Sequence, residues 1–427
     1  MLLRNLDRRG QADPAADLPR PEISGDDPVD AVRTIIADVR GRGDAAVREL
    51  GLRFDGVVPD PLTIPQDDMH AALAGLDGEV VAALELAARR IGDFHRLQMP
   101  TSALYESEGV TVRSRAVPVD RAGVYVPGGR AVYPSTVLMT AIPARVAGVA
   151  EIAMCVPPGA DGTIPAVTLA AAAVAGVDEV HPIGGAQAIA ALAYGTDSVR
   201  PVDVIAGPGN VFVAIAKREV AGDVGVAAAF AGPSEVVVIA DASADPRLVA
   251  IDIALQAEHG PDGLAWLITW DPAVADAVGR ELATIVEASP RRAEIEATLD
   301  GGGYAVLVDG PDAALAVANA IAPEHLEIQT ADPASLADGV RHAGAVFCGP
   351  WAPASIGDYV AGPSHVLPTD GTARFAGALT VHDFLKDLHV VTLDRAGLEA
   401  VGPAAATLAD AEGLAAHALS IRARLQS

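Results

Sequence analysis

Short apolar runs of strand type alternate with longer helical patterns along most of the chain, and no other sequence feature limits the possible folds as strongly. The strand-type runs form a block of three and a block of four, at residues 151–156, 179–183, 202–206, 235–240, 265–269, 305–308 and 345–348. Gly and Pro mark many of the boundaries between runs and helical stretches. Helical crossovers join parallel strands, so we predict an α/β fold of two doubly wound halves.

The residues before the first block are predicted to be mostly helical, with helices at 30–40 and 44–54. Gly41, Gly43 and Ala46 match a relaxed dinucleotide-binding fingerprint, but that fingerprint requires a preceding strand. The preceding residues have a helical pattern instead. We therefore interpret Gly41 and Gly43 as a helix C-cap and turn, not as a cofactor site.

Two later Gly-rich turns are better placed to bind a nucleotide. Gly184-Gly185-Ala186-Gln187 follows one predicted strand and opens an apolar helix, and Gly207-Pro208-Gly209-Asn210 follows another strand in the same way. Free backbone amides at such a turn bind phosphates and other anions. Glycines also serve tight turns, so each motif taken alone leaves both interpretations open.

The charge of the chain narrows its partners. The net charge of −26 at pH 7 repels phosphate backbones and anionic lipids, so we expect no nucleic-acid or membrane partner. The longest apolar stretch, 164–177, contains Pro165 and Gly176 and is shorter than the roughly 20 residues that span a bilayer. The first residues lack the apolar core of a signal peptide. We therefore expect a cytoplasmic protein that binds small molecules or other copies of itself.

The two cysteines, Cys155 and Cys348, are too few for a disulfide framework or a thiolate zinc site. Each ends an apolar run, and neither has a basic or His neighbour in sequence that would lower its thiol pKa. We predict that both are buried strand residues and not nucleophiles.

Gln256 and His259 lie three residues apart at the end of a predicted helix. This spacing places them on one helix face, where they could ligate one metal ion. Spacing alone favours the alternative, a polar helix end in solvent.

Glu324 and His325 are adjacent, where Pro323 ends a helix and an alternating strand begins. In an extended chain their side chains point to opposite faces, so a backbone bend is needed to direct both at one substrate. Such a pair would supply two bases near neutral pH. The alternative is a capped helix end followed by a surface strand.

Two further acid and His combinations occur towards the C-terminus. Asp358 and His365 share a Gly- and Pro-rich loop after the last predicted strand, and loops on a rigid scaffold often carry function. Glu412 and His417 are predicted to lie in the C-terminal helix, about 140° apart around its axis. A shared role for them requires a site at the helix edge or between subunits. Amide, carboxylate and imidazole ligands without thiolate suit Zn²⁺ or another divalent ion in an open catalytic site.

Several tracts in the same order resemble the histidinol dehydrogenase family, and the resemblance covers nearly the whole chain. The tracts are Val124-Tyr125-Val126-Pro127-Gly128-Gly129, Tyr133-Pro134-Ser135, Gly184-Gly185-Ala186-Gln187-Ala188, Gly207-Pro208-Gly209-Asn210, Ala231-Gly232-Pro233-Ser234-Glu235, Gln256-Ala257-Glu258-His259, Ala322-Pro323-Glu324-His325-Leu326-Glu327, Gly357-Asp358-Tyr359 and His365-Val366-Leu367-Pro368-Thr369. One tract would be weak support, but the ordered set is highly specific.

The resemblance implies a role for each candidate residue. It implies that Zn²⁺ is held by Gln256, His259, Asp358 and His417. It implies that the substrate is bound by these four residues together with Ser234, His325, His365 and Glu412. It also implies that Tyr125, Gln187 and Asn210 contact NAD, and that the catalytic bases are Glu324 and His325.

The family is similarly expected to form homodimers in which the C-terminal segment of one subunit completes the site of the other. The implied fold consists of two incomplete Rossmann-like doubly wound domains with small helical terminal segments. The expected divisions begin with an N-terminal segment at residues 1–22. The first α/β domain, with the metal and catalytic residues, comprises 23–124 and 234–380, and the second α/β domain, which binds NAD, comprises 125–233. The C-terminal segment comprises 381–427.

The implied reaction is the oxidation of L-histidinol through L-histidinal to L-histidine, with two NAD reduced. Two alternatives stay open at this point. The first is a family paralogue that oxidises another alcohol, such as a sulfonated diol, with zinc and NAD. The second is a zinc hydrolase with Glu324 as general base, which would leave the two Gly-rich turns without a purpose.

Overall fold

The computed structural model describes residues 2–20, 28–58, 60–128, 131–227, 232, 234–258 and 263–426. The strands in this part of the chain are β1 (Arg4–Asp7), β2 (Ala103–Ser107), β3 (Val110–Pro118), β4 (Arg121–Tyr125), β5 (Glu151–Cys155), β6 (Glu179–His181), β7 (Val204–Ala206), β8 (Gly225–Val226), β9 (Glu235–Ala240), β10 (Leu264–Thr269), β11 (Gly303–Leu307), β12 (His325–Gln329), β13 (Ala345–Cys348) and β14 (Leu385–Leu393).

The α-helices are α1 (Val29–Arg42), α2 (Asp44–Phe54), α3 (Gln66–Ala74), α4 (Gly78–Leu97), α5 (Pro134–Ala147), α6 (Ala166–Ala175), α7 (Gly185–Tyr194), α8 (Val211–Val220), α9 (Pro246–Ala257), α10 (Pro272–Ala288), α11 (Arg292–Gly302), α12 (Pro311–Ile321), α13 (Pro333–Ala337), α14 (Ala354–Tyr359), α15 (Arg395–Ala411) and α16 (Ala415–Gln426). Gly43 has φ 55°, and its amide donates to the Val39 carbonyl, so it ends α1 as the sequence predicted.

Two parallel sheets confirm the predicted doubly wound halves. One has the strand order β6-β5-β4-β7-β8, and the other has β1-β11-β10-β9-β12-β13. In each sheet the order reverses beside its first central strand, β4 or β9. Parallel strands covered by helices on both faces are apolar along their whole length, which explains the fully buried β4, β9 and β10.

The helices of residues 29–97 pack on the five-stranded sheet. Apolar residues of α1 and α2 join the core on one face of that sheet, and residues of α3 and α4 join the core on the other. The expected division placed 23–124 with the domain of 234–380, and this packing differs from it. The N-terminal strand β1 extends the six-stranded sheet by pairing with β11. The helix packing and the β1–β11 pairing both join segments that are far apart in sequence, and local sequence patterns do not specify such contacts.

The C-terminal segment lies outside the two parallel sheets. Strand β14 pairs with β3 in a three-stranded antiparallel sheet, and α15 and α16 enclose a small core around Ala406, Ala409 and Ala418. The prediction of one helix containing Glu412 and His417 was wrong. Glu412 caps α15, and His417 lies in α16. Gly413, with φ 75°, separates the helices, so the 140° relationship does not apply.

The two cysteines differ in burial. Cys155 is buried in β5, as predicted, and burial raises the pKa of its thiol. Cys348 is in β13 but is exposed, so its predicted burial was wrong. β13 is the edge strand of its sheet, and its residues alternate between partly buried and exposed. Among the helices of the described ranges, none combines the length and apolarity needed to cross a membrane.

Candidate active site

The acid–base residues gather at the amino edge of the six-stranded sheet. His325 is the first residue of β12, and Glu235, preceded by Ser234, is the first residue of β9. Strands β9 and β12 are parallel neighbours, so these ends lie side by side. The segment 325–329 was predicted to alternate but is buried at every position, because it lies inside the sheet.

His325 lies between two carboxylates. Its Nδ1 is 3.6 Å from Oε2 of Glu324, and its Nε2 is 3.5 Å from Oδ1 of Asp358. Both distances are longer than a hydrogen bond but within range of strong electrostatic attraction. Burial lowers the pKa of His325, but the two carboxylates outweigh burial and raise the pKa to about 9. The backbone therefore directs both members of the Glu324–His325 pair to one place.

Glu235 is a site residue that the sequence analysis did not single out. Its backbone amide donates to Oε2 of Glu324 over 3.1 Å, while its own carboxyl oxygens have no hydrogen-bond partner among the described residues. Burial, reinforced by the charge of Glu324, raises the pKa of Glu235 to about 8 against the opposing charge of Arg20. Burial also raises the pKa of Glu324. A Glu at the start of an otherwise apolar central strand was the available signal.

Asp358 and His365 reach the site from beyond β13. The predicted loop is helical at Asp358, because residues 354–359 form α14. A Cβ at Gly357 would collide with the ring of Phe347, so the absence of a side chain lets α14 pack against β13. Nδ1 of His365 lies 2.9 Å from the Asp358 carbonyl oxygen, and burial lowers the pKa of His365.

The other ligand candidates are only partly brought together. Gln256 is buried in the last turn of α9, while His259 lies outside the described residues. Glu412 and His417 are exposed on the C-terminal hairpin formed by α15 and α16. Across the described ranges, no group of three His, Cys, Asp or Glu side chains is arranged to hold a metal ion.

The second set of candidates lies at the carboxyl edge of the five-stranded sheet. Tyr125 ends β4, and its hydroxyl accepts a hydrogen bond of 3.1 Å from the Gly185 amide; burial raises its pKa to about 12. Gly207 follows β7 with φ 110°, and a Cβ there would collide with the Tyr125 carbonyl. Both Gly-rich turns thus meet at Tyr125, beside the point where strand order reverses, where such sheets bind ligands.

The remaining residues at this edge are held by the helices that follow. Gln187 is buried in the first turn of α7. Asn210 caps α8, and its side-chain oxygen accepts from the Val213 amide over 3.2 Å. Beneath the turn, Nζ of the buried Lys217 donates to the Gly207 carbonyl, and burial lowers the pKa of Lys217 to about 7. Lys217 was not among the residues predicted from the sequence.

A contact between His365 and Thr136 joins the two edges. Thr136 lies at the start of α5, which follows β4, and its Oγ1 is 3.1 Å from Nε2 of His365. The loop that carries His365, which also contacts Asp358, therefore lies against the helix that follows β4 of the other sheet. The arrangement can transfer protons at His325 and bind an anionic ligand at the turn amides. Fold and site together define an α/β enzyme with an acid–base group between two doubly wound sheets.

The comparisons with known proteins agree with this class. The model of the histidinol dehydrogenase family matches residues 18–425. Histidinol dehydrogenase from Thermobifida fusca (strain YX) is 49% identical over 429 residues, which cover 99% of this chain and 98% of the relative. The protein of the same name from Parasynechococcus marenigrum (strain WH8102) is 49% identical over 395 residues, covering 92% of this chain and 90% of the relative.

A solved structure extends the similarity to three dimensions. The crystal structure of histidinol dehydrogenase from Elizabethkingia anophelis superimposes with a TM-score of 0.94 at 32% identity, covering 100% of this chain and 98% of that chain. The chain belongs to the histidinol dehydrogenase family.

Proposed function

We propose that this protein is a zinc-dependent histidinol dehydrogenase that oxidises L-histidinol through L-histidinal to L-histidine and reduces two NAD per substrate. The observation that carries the proposal is the position of His325 between Glu324 and Asp358, together with the His365–Thr136 contact that joins this group to the helix after β4. Family membership supplies the substrate. Gly-rich turns at a sheet edge, without an acid–base residue, would support nucleotide binding but not alcohol oxidation.

The turn residues fit NAD. The Gly207 and Gly185 turns have positive φ, bring backbone amides to the ends of parallel strands and leave little room for a Cβ. Tyr125, Gln187 and Asn210 are the proposed contacts. Bound NAD would supply the hydride acceptor for both oxidations.

The donor set fits a divalent ion of the zinc type. Gln256 offers an amide oxygen, Asp358 a carboxylate, and His259 and His417 imidazole nitrogens. Zn²⁺ held there would orient the substrate and polarise its hydroxyl group. It would also neutralise Asp358, which is one of the two carboxylates that raise the pKa of His325, and so lower that pKa towards the range in which a neutral imidazole can accept a proton. Ser234, His365 and Glu412 are the proposed remaining substrate contacts.

The bases of this chain act in sequence. His325 accepts the hydroxyl proton while the carbinol carbon loses hydride, and the aldehyde results. Glu324 then removes a proton from water as the water adds to the aldehyde carbon, and protonated His325 returns its proton to the carbonyl oxygen, which gives the hydrate and restores the neutral imidazole. His325 accepts a hydroxyl proton of the hydrate during the second hydride loss, and the carboxylic acid results. The side chain of His325 is buried and that of Glu324 is largely buried, which would limit access of bulk water to the aldehyde.

We further propose a homodimer in which α15 and α16 enter the site of the partner. The hairpin exposes Leu408, Leu414 and Leu419 beside Glu412 and His417, while its own core is small. Exposed apolar side chains of this size indicate an interaction surface. A second copy of the chain would cover them and complete the ligand set.

The test is NADH formation from L-histidinol in parallel with other primary alcohols, including a sulfonated diol. Two NADH per L-histidinol consumed, with L-histidine as product, support the proposal. Turnover of another alcohol without turnover of L-histidinol would reject it in favour of a paralogue. Metal-free protein prepared with a chelator should be inactive and should recover with Zn²⁺.

A further inference from the structure

Beneath the active site, β12 presents a polar stripe to α9. His325 and Glu327 are paired in register with Val236 and Val238 of β9, and those valines contact the core on the α9 side. Side chains alternate along a strand, so His325, Glu327 and Gln329 point to this side. Central strands of parallel sheets are normally apolar, and a buried carboxylate there is costly unless it is well bonded.

Glu327 is fully buried and connects three elements. Its Oε1 accepts from the backbone amide of Ala354, the first residue of α14, over 2.9 Å. Its Oε2 lies 3.4 Å from the side-chain amide of Gln329 within β12. Its carboxyl group also forms a hydrogen bond with the side chain of Asp252, which is buried in α9.

The hydrogen bond between the two carboxyl groups requires one proton. Burial and the neighbouring charge of Glu327 raise the pKa of Asp252 well above its usual range. The two carboxyl groups therefore share one proton, and the Glu327 carboxyl group is hydrogen-bonded to α9 and to α14 at once. Asp252 precedes Gln256 by four residues in α9, and Ala354 precedes Asp358 by four residues in α14. Each bonded group is thus one helical turn from a proposed metal ligand.

We propose that Glu327 and Asp252 position the active site by tying α9, β12 and α14 together. Through these elements they fix Gln256, His325 and Asp358 relative to one another. The inference rests on the proposed roles of those three residues. Groups that orient metal ligands from behind typically change metal affinity or activity about 10–100-fold when removed.

The experiment compares Asp252→Ala with Asp252→Asn in the full-length protein. Asn keeps a donor for Glu327, whereas Ala removes it and leaves the Glu327 carboxylate underbonded. We expect Asp252→Ala to lose at least tenfold in kcat and in Zn²⁺ affinity measured against a competing chelator. Asp252→Asn should stay within about threefold of the wild type in both, as rescue by the conservative variant.

Val249→Ala is the matched control, because Val249 is buried in α9 and contributes packing but no polar contact. It should lower Tm without changing kcat or Zn²⁺ affinity. Hydrogen exchange of the α14 amides needs neither substrate nor metal, and Asp252→Ala should accelerate it. A wild type that binds no Zn²⁺ and does not oxidise L-histidinol would refute the proposed function, while the exchange measurement would still test the tie.

Wild-type kcat and Zn²⁺ affinity in Asp252→Ala would overturn the inference, as would equal losses in Asp252→Ala and Asp252→Asn. Where Asp252→Ala does not fold, Glu327→Gln takes its place. In Glu327→Gln the new amide oxygen can accept from the Ala354 amide, and the new amide nitrogen can donate to Asp252. This variant should therefore keep the kcat and Zn²⁺ affinity of the wild type. A tenfold loss in Glu327→Gln or Asp252→Asn then overturns the proposal.

Discussion

Nε2 of His365 lies 3.1 Å from Oγ1 of Thr136, so one hydrogen-bonding contact links the loop after α14 to the first turn of α5. The other nitrogen of His365 is held at the Asp358 carbonyl. These two contacts together fix the ring orientation of His365, a proposed substrate contact. This contact connects the helix after β4, next to the proposed NAD contacts, to the loop beside the acid–base residues.

Thr136→Val should raise KM for L-histidinol about five- to tenfold and leave KM for NAD nearly unchanged. Val preserves the side-chain shape but removes the hydroxyl group, a loss of about 1–1.5 kcal/mol. Steady-state kinetics with each substrate varied in turn provide the measurement. Thr140→Val is the control, since Thr140 is buried in α5 and its hydroxyl bonds only to backbone carbonyls of its own helix. An equal effect on both KM values would contradict the prediction.

His325→Gln should lower kcat by about 10²–10⁴, the usual contribution of a general base. Bound zinc should remain, because His325 is not among the proposed ligands. Metal analysis of the purified variant and single-turnover NADH formation measure the two effects. His70→Gln, at an exposed position in α3, is the control and should retain full activity. Undiminished turnover in His325→Gln would show that another residue is the general base.

Asn210 allows cofactor binding to be separated from helix capping. Asn210→Asp preserves a good N-cap but places a negative charge where the phosphates of NAD are proposed to bind. We expect wild-type Tm and a raised KM for NAD. Asn210→Ala should instead lower stability by about 1 kcal/mol through loss of the cap. Unchanged KM for NAD in both variants would place the cofactor away from this turn.

The acid stability of the five-stranded sheet should depend on Glu179. Burial raises the pKa of Glu179, but hydrogen bonds from Arg121 and Arg200 dominate and lower it to about 2. A folded-state pKa below the unfolded value stabilises the protein above pH 4.5, and that contribution disappears as pH falls towards 2. Glu179→Gln should therefore cost about 1–3 kcal/mol at pH 7 and progressively less in acid.

Urea unfolding at pH 7 and at pH 3 measures this difference. Glu399→Gln is the control, because the Arg395–Glu399 pair is exposed in α15 and should contribute less than about 1 kcal/mol. A constant difference between wild type and Glu179→Gln at both pH values would contradict the prediction.

The sequence predicted elements well where one local pattern decides the structure. The strand at 235–240 and the helix at 44–54 were predicted to the residue, because an unbroken apolar run and the flanking Gly43 define them. The exposure of Cys348 could not be predicted, since it depends on which strand lies at the sheet edge. The break between Glu412 and His417 had a local signal, Gly413, which a helical pattern on both sides obscured.

The assembled site depends on tertiary contacts that local sequence patterns do not reveal. Glu324 and His325 were identified from adjacency, yet the 3.5 Å approach of Asp358 requires α14 to return along β13 to the amino edge of the sheet. The burial of Glu235 beside Glu324 follows from strand order. Such tertiary relationships separate candidate residues from an assembled site.

We expect each active site to be shared between two subunits. Glu412 and His417 lie on an exposed hairpin, whereas His325 and Asp358 lie side by side and Gln256 is buried at the end of α9. His417→Ala would remove a metal ligand, and His325→Ala would remove the base and leave the ligands. Each homodimer should be nearly inactive. If each site takes its His417 from the partner, a mixed dimer rebuilds one complete site.

Co-refolding equal amounts of the two variants should recover up to about a quarter of wild-type activity, because half of the dimers are mixed and each has one of two sites intact. The recovered activity should rise with the fraction of mixed dimers, measured by native mass spectrometry. A control mixture of His325→Ala with Glu324→Gln should recover nothing, since both residues belong to the same half of the site. If sites lie within single chains, every site in either mixture carries a lesion, and verified subunit exchange without recovery would refute the shared site while leaving the dehydrogenase assignment intact.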